Sequence, residues 1–336
     1  MKLHNNNTDN RLFNMDLIRF IAIFLVILQH SWSMLGMDDD TSGWASSLYA
    51  ALSKCNVPLF LMISGFFQIS KPMPIATFYG KRFARLLVPF LVWGTIAYII
   101  SVVLHKYSDI GSIKDAIVMY IPYILSGRIN ASYWYIYLIA GIYLVTPFLQ
   151  SAANGTDNTE KLFLCGTIIW LSYFLFLDIY PQFALAGYFQ ITGKYLGYYI
   201  TGFYMYRYLL EHIRKGTFLI VFIISLVLNA LLIQNGIKAQ TVQIIEVLAL
   251  FGILAKTHSN NNVIQSVVNS VSRYSYTIYL TQFLTIGFLY AALPTVFPFS
   301  PITPLTAAIT VLVIEAVGCW ILEKIRFIPG KITGIS

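Results

Sequence analysis

Runs of about 20 apolar residues recur along this 336-residue chain, divided by short polar links. A helix of that length spans the hydrocarbon core of a bilayer, and within that core a segment must satisfy its own backbone polar groups. The apolar runs predict spans at about 15–35, 44–69, 83–104, 132–150, 161–178, 192–209, 216–234, 241–255, 274–293 and 304–324. Stretches such as Ile21-Ala22-Ile23-Phe24-Leu25-Val26-Ile27-Leu28 are apolar on every side, whereas the strands of a membrane barrel alternate. The segment 113–126, interrupted by Pro122, is too short to span and is expected as a helical piece at one face. The expected fold is an all-α polytopic membrane protein, a bundle of about ten transmembrane helices forming a single membrane-embedded domain over 1–336. The first span carries charged residues at its start and lacks a small-residue cleavage site, so it is expected to be a retained helix rather than a signal peptide.

Composition agrees with that class. The chain is 57% hydrophobic and only 11% charged, against about 25% charged for a soluble domain. Its 23 Tyr and 24 Phe exclude a disordered chain, which is poor in aromatics. The net charge of +8 does not point to nucleic acid, because the basic residues fall between apolar runs, where they set topology. Ten spans put both termini on one side of the bilayer. That side receives sixteen of the 22 Lys and Arg residues, among them Arg19, Lys81, Arg82, Arg85, Arg214 and Arg273. Positive charge collects in the cytoplasm, so both termini are expected there, in a cell (inner or plasma) membrane protein, with Asp38-Asp39-Asp40 outside.

Ionisable residues inside spans usually face the bundle interior or a wet cavity. The first span has three, Asp16, Arg19 and His30. Asp16 and Arg19 are three residues apart and share a helix face. From Arg19 to His30 is three turns plus roughly 20°, so His30 lies on the same stripe, about 16 Å along the axis. The pair alone reads as a structural ion pair; a histidine deep in an apolar helix on that stripe reads as functional. Arg82 and Arg85, also three apart, stand at the start of the third span at the depth of Arg19. They are either an ordinary cytoplasmic anchor or, converging with Arg19, an anion site, since guanidinium groups grip phosphates bidentately.

Other polar positions are less directive. Glu246 and Glu315 lie within spans as proton carriers or satisfied structural carboxyls. Ser275, Tyr279 and Gln282 share a face of the ninth span. Tyr133, Trp134, Tyr135 and Tyr137 fit an interfacial aromatic belt, although such rings also stack on sugars. The five histidines are scattered away from carboxylates and thiols at ligand spacing, so no metal is expected. Cys55, Cys165 and Cys319 form neither a CxxC motif nor a disulfide framework.

Several of these segments together resemble the membrane-bound acyltransferase-3 family. Asp16-x-x-Arg19 running to Leu28-Gln29-His30 resembles its first-helix motif, and Arg82-x-x-Arg85 ahead of Pro89 its R-x-x-R element. Val57-Pro58-Leu59-Phe60 with Ser64-Gly65-Phe66-Phe67, Trp134-Tyr135-Ile136 with Tyr143-Leu144-Val145-Thr146-Pro147, and Ser275-Tyr276-Thr277-Ile278-Tyr279-Leu280 are similar to three further family segments. Gln282 stands where a histidine is frequent, which removes titration at that position. The resemblance covers the chain as a short form without an extracytoplasmic domain. It implies transfer of an acyl group, usually acetyl from cytoplasmic acetyl-CoA, to a hydroxyl of a cell-surface or lipid-linked glycan, with the Arg/His pair and the R-x-x-R element required.

The residues accommodate that role. Arg19, Arg82 and Arg85 would take the phosphates of acetyl-CoA, with no cofactor held permanently. A pantetheine arm would thread along the first-span stripe to His30, acting as general base or as covalent acyl carrier, and Asp16 would hold Arg19. The alternative is a transporter of a polysaccharide, lipid-linked sugar or amino acid, with which buried Glu246 and Glu315 are compatible. Transporters often carry two similar halves, and nothing like the Asp16–Arg19–His30 pattern recurs after residue 160. The enzyme is therefore the leading reading.

Overall fold

The computed structural model describes residues 8–34, 43–155, 158–183, 187–296, 300–325 and 330–335. The expected outer run Asp38-Asp39-Asp40 lies outside the described residues. Among those described, the chain forms thirteen α-helices and no strand. They are α1 (Thr8–Met34), α2 (Trp44–Ser53), α3 (Asn56–Ile69), α4 (Ile75–Val103), α5 (Ile113–Ser126), α6 (Trp134–Asn154), α7 (Thr159–Ile179), α8 (Gly187–Tyr204), α9 (Lys215–Gln234), α10 (Gln240–Ala255), α11 (Asn262–Val296), α12 (Thr303–Lys324) and α13 (Gly330–Thr333). A π-helical turn, Met205–Leu209, continues α8.

Seven of these segments are long and apolar enough to cross a membrane: Phe13–Met34, Trp44–Ile69, Ile75–Val103, Ala131–Asn154, Thr159–Ile179, Lys215–Gln234 and Thr303–Lys324. Of the other expected spans, α10 is apolar but has 16 residues. The helices α8 and α11, richer in polar residues, are not among the seven. The outward faces of the peripheral helices are apolar: Ile220 and Ile224 on α9 and Val313 and Trp320 on α12 are exposed, as a lipid-facing perimeter requires. By contrast α1 is buried nearly all round, through Ile18, Ala22, Ile23, Leu25, Val26, Ile27 and Leu28. It packs on α2, α3, α10, α11 and α12 and forms the axis of the bundle.

Two prolines shape the helices near that axis. The expected span 44–69 is broken into α2 and α3 at Lys54–Cys55. Pro58 has no N–H for the Lys54 carbonyl four residues back, and its ring crowds that carbonyl. The Lys54 carbonyl takes the Gln243 amide instead, at 3.4 Å. In α4, Pro89 withholds a partner from the Arg85 carbonyl in the same way, and the Tyr276 hydroxyl reaches into the adjoining turn to donate to the Leu86 carbonyl at 2.5 Å.

Helix α11 starts twelve residues before the expected span at 274. The Asn261 side chain caps it, accepting from the backbone N–H groups of Val263 and Ile264 at 2.9 and 3.3 Å. The short α13 ties α4 to α11, since Trp93 Nε1 and Thr277 Oγ1 both donate to the Thr333 carbonyl, at 3.0 and 2.9 Å.

The closest helix pairing is α3 with α8. A Cβ on Gly65 would lie 1.8 Å from the Tyr199 carbonyl oxygen, and one on Gly202 would lie 2.2 Å from the Met62 carbonyl oxygen. Small residues let helix backbones touch where no hydrophobic force drives membrane helices together. Gly202→Ala should lower the melting midpoint in detergent by the equivalent of roughly 3 kcal/mol, the upper end of overpacking costs, because backbone must move. Gly141→Ala on α6, with open space around it, is the control and should leave the midpoint unchanged or higher. Equal midpoints for the two variants would dismiss the close crossing.

Candidate active site

A cavity of about 640 Å³ opens between α1, α3, α4, α6 and α11. Its lining changes character along the helix axes. One end is set by Asp16 and Arg19 of α1, Arg82 and Arg85 of α4, and Asn269, Ser272 and Arg273 of α11. The other is set by Val26, Val57, Phe60, Tyr135 and Tyr279. From Arg19 to Val26 and from Ser272 to Tyr279 the rise is about 10 Å each, so the two helices agree on its depth.

The polar end is organised around Asp16. Its carboxylate accepts from Arg19 at 3.1 Å and from the Ser272 hydroxyl at 2.6 Å. With its amide turned to donate, Asn269 reaches the same carboxylate at 3.3 Å. The Arg19 guanidinium also lies over the Phe67 ring, 5.2 Å from its centroid. Arg19 is therefore fixed from two sides, by a carboxylate and by an aromatic face. On the rim, Arg273 pairs with Glu323 at 2.6 Å, and the Tyr274 hydroxyl donates to that carboxylate at 2.5 Å.

Arg82 and Arg85 have no ion-pair partner among the described residues. Arg82 lies over Phe78 at 5.9 Å, and its buried Nε has no hydrogen-bond partner. The side-chain oxygen of Gln68, also on the cavity wall, is buried and unpartnered. Four guanidinium groups thus face one space that holds a single lining carboxylate, Asp16. That excess of positive charge, with donors left unfilled, can hold a polyanion bidentately.

The fold brings together four of the five residues expected at the site, Asp16, Arg19, Arg82 and Arg85. The fifth, His30, is half-buried and makes no hydrogen bond among the described residues. It follows Val26 by one turn on the same stripe of α1, beyond the aromatic end of the cavity, and is not a lining residue. On α3 the sequence does not single out Gln68; on α11 it singles out neither Asn269 nor Ser272, which fall in the polar link before 274, and Arg273 enters only through topology. The signal that finds the α11 residues is Asn261 as a helix cap before the helically spaced apolar residues Val263, Ile264, Val267, Val268 and Val271. Glu246 and Glu315 lie elsewhere. Glu246 accepts from Asn229 at 2.7 Å and from Cys55 at 3.5 Å, while Glu315 accepts from Thr281 at 2.5 Å and from Thr285.

Residues 12–324 match the family described as an acyltransferase domain. Nodulation protein NolL of Sinorhizobium fredii is 24% identical over 194 residues, 55% of this chain and 50% of that protein. Nodulation protein NolL of Mesorhizobium japonicum is 27% identical over 134 residues, 39% of this chain and 34% of its own length. The matches therefore span half or less of these curated relatives. No solved structure matches.

A double-mutant cycle tests whether Asp16 anchors Arg19. Asp16→Asn, Arg19→Gln and their combination should give a coupling of roughly 1 kcal/mol in thermal or denaturant stability, the upper end for part-exposed pairs. Additive effects would mean that Asp16 does not hold Arg19.

Proposed function

The chain belongs to the acyltransferase-3 family, and on that premise we propose that it moves an acyl group, acetyl in the leading case, from cytoplasmic acetyl-CoA to a hydroxyl of a cell-surface or lipid-linked glycan. It is a multi-pass membrane protein. In this reading it sits in the cell membrane as about ten spans, with both termini cytoplasmic. The observation that carries the proposal is the graded cavity, cationic at one end and aromatic at the other.

Acetyl-CoA has the same grading, an anionic nucleotide joined by a thin arm to an apolar acyl thioester. Its phosphates meet Arg82 and Arg85, the unpaired cations, and Arg19, which Asp16 and Phe67 hold in place. The arm runs inward along α1 past Phe67 and Ser64 towards Val26. His30 then stands one turn past the acyl group, placed to take the proton of an acceptor hydroxyl arriving from the opposite side of the membrane. Substrate binding parts the Val26–Phe60–Tyr279 end so that the thioester and the imidazole meet, which also keeps water from the thioester until an acceptor is present. The membrane thereby separates the donor from an acceptor that has no access to the cytoplasm.

Two expected outcomes test this with protein purified in detergent, radiolabelled acetyl-CoA and a glycan acceptor. His30→Ala should lower acceptor-dependent CoA release at least 100-fold, the size of a lost general base, while CoA affinity changes less than threefold. The pair Arg82→Ala with Arg85→Ala should do the reverse, weakening CoA affinity roughly 10- to 100-fold with a steeper loss at low salt. Full activity in His30→Ala would dismiss the imidazole as base. Uptake of a solute into vesicles without dependence on CoA would favour a transporter.

A further inference from the structure

Gln282 is completely buried, and neither the oxygen nor the nitrogen of its amide has a hydrogen-bond partner. Among the described residues it is the one carboxamide with both ends unpaired; Asn14 and Gln68 each leave a single atom. Burying a donor and an acceptor without partners is costly, and such a group calls for an explanation, a catalytic role or a bound molecule among them. The neighbouring side chains serve another purpose, since Thr281 and Thr285 both donate to Glu315.

Its position gives the ligand. Ser272, Ser275 and Tyr279 line the cavity from α11, and Gln282 follows on the same helix face, one turn past Tyr279. The helices α1 and α11 run side by side, joined by Ser272 to Asp16 at one level and by the Tyr290 hydroxyl to the Ser31 carbonyl at another. Interpolating between these ties puts Gln282 level with about residue 24 of α1, roughly 8–9 Å along the axis short of His30. Gln282 on α11 therefore stands at the level where the cavity closes, and His30 on α1 stands one turn beyond it; neither is a lining residue, and each continues the polar stripe of its helix.

An amide offers a donor and an acceptor at once. Acyl transfer brings a carbonyl and a hydroxyl together at one point. We propose that Gln282 is the residue that holds this pair, its Nε2–H groups donating to the acyl carbonyl oxygen and its Oε1 accepting from the acceptor hydroxyl. This rests on the acyl-transfer reading above. The acceptor oxygen bonds to the acyl carbon, the carbon–sulfur bond breaks, and the hydroxyl proton passes through His30 to the departing CoA thiolate. Negative charge grows on the carbonyl oxygen as the bond forms, and a preorganised amide donor is stabilising there.

The test compares wild type with Gln282→Leu and Gln282→Glu, measuring CoA affinity, melting midpoint, and kcat and KM with acetyl-CoA and a glycan acceptor. Activity is expressed per CoA-binding protein, so that folding yield does not enter. The expected result is roughly 100-fold lower kcat for both variants, the size of a lost oxyanion donor. CoA affinity should stay within threefold, and the Gln282→Leu midpoint should be at or above wild type because unpaired polar atoms are gone. A kcat within threefold of wild type in Gln282→Leu would overturn the assignment, as would a kcat loss that merely tracks the melting midpoint across the two variants. Absence of transfer in wild type itself would instead overturn the acyl-transfer reading on which the assignment stands.

Discussion

Inside a bilayer a polar group has only the protein to bond with, and an unpaired one costs several kcal/mol. The architecture follows from meeting that demand. Backbone groups close on themselves in helices, and carboxyls collect partners from other segments: buried Glu246 from Asn229 and Cys55, buried Glu315 from Thr281 and Thr285, and half-buried Asp16 from Ser272 as well as from Arg19 of its own helix. Some unpaired atoms remain in packed regions, such as the Trp170 indole and the Tyr198 hydroxyl. Those on the cavity wall, at Arg82 and Gln68, differ because open space adjoins them and a ligand can supply what the protein does not.

The scaffold around that space is set by where helices can approach and where they must break. Gly65 and Gly202 let α3 and α8 meet backbone to backbone. Pro58 and Pro89 each free a carbonyl, and in both places a side chain from another helix, Gln243 or Tyr276, bonds within the loosened turn. Near Pro89 this fixes α4 against α11, and α13 adds a second tie through Trp93 and Thr277. The guanidinium groups of Arg82 and Arg85 thus stand on a helix held firmly beside the one that carries Ser272 and Arg273.

The charge arrangement inside the cavity divides labour between the arginines. Arg19 and Arg273 are each neutralised by a carboxylate, and both also lie against an aromatic ring. Arg82 and Arg85 remain uncompensated. A site built this way keeps two cations as fixed walls and leaves two for an incoming anion, so ligand binding need not first break an ion pair. The step in polarity from this end to Val26, Phe60 and Tyr279 orients any elongated ligand that is anionic at one end and apolar at the other.

Sequence alone determined the class of fold and the residues worth watching, because both depend on local chemistry. Apolar runs of bilayer length need no tertiary information to be read as helices, and a charged stripe such as Asp16, Arg19 and His30 follows from helical periodicity. The family resemblance was equally legible, and residues 12–324 match that family. Tertiary structure decided which stripes face one another. The arrival of Asn269, Ser272 and Arg273 beside Asp16 depends on contact between segments more than 200 residues apart, whereas the break at Lys54–Cys55 and the early start of α11 follow from Pro58 and the Asn261 cap, which are local signals. It also decided that the cavity ends at Val26, one turn before His30, since where a space closes is set by aromatic side chains from α3, α6 and α11 rather than by the helix that bears the histidine.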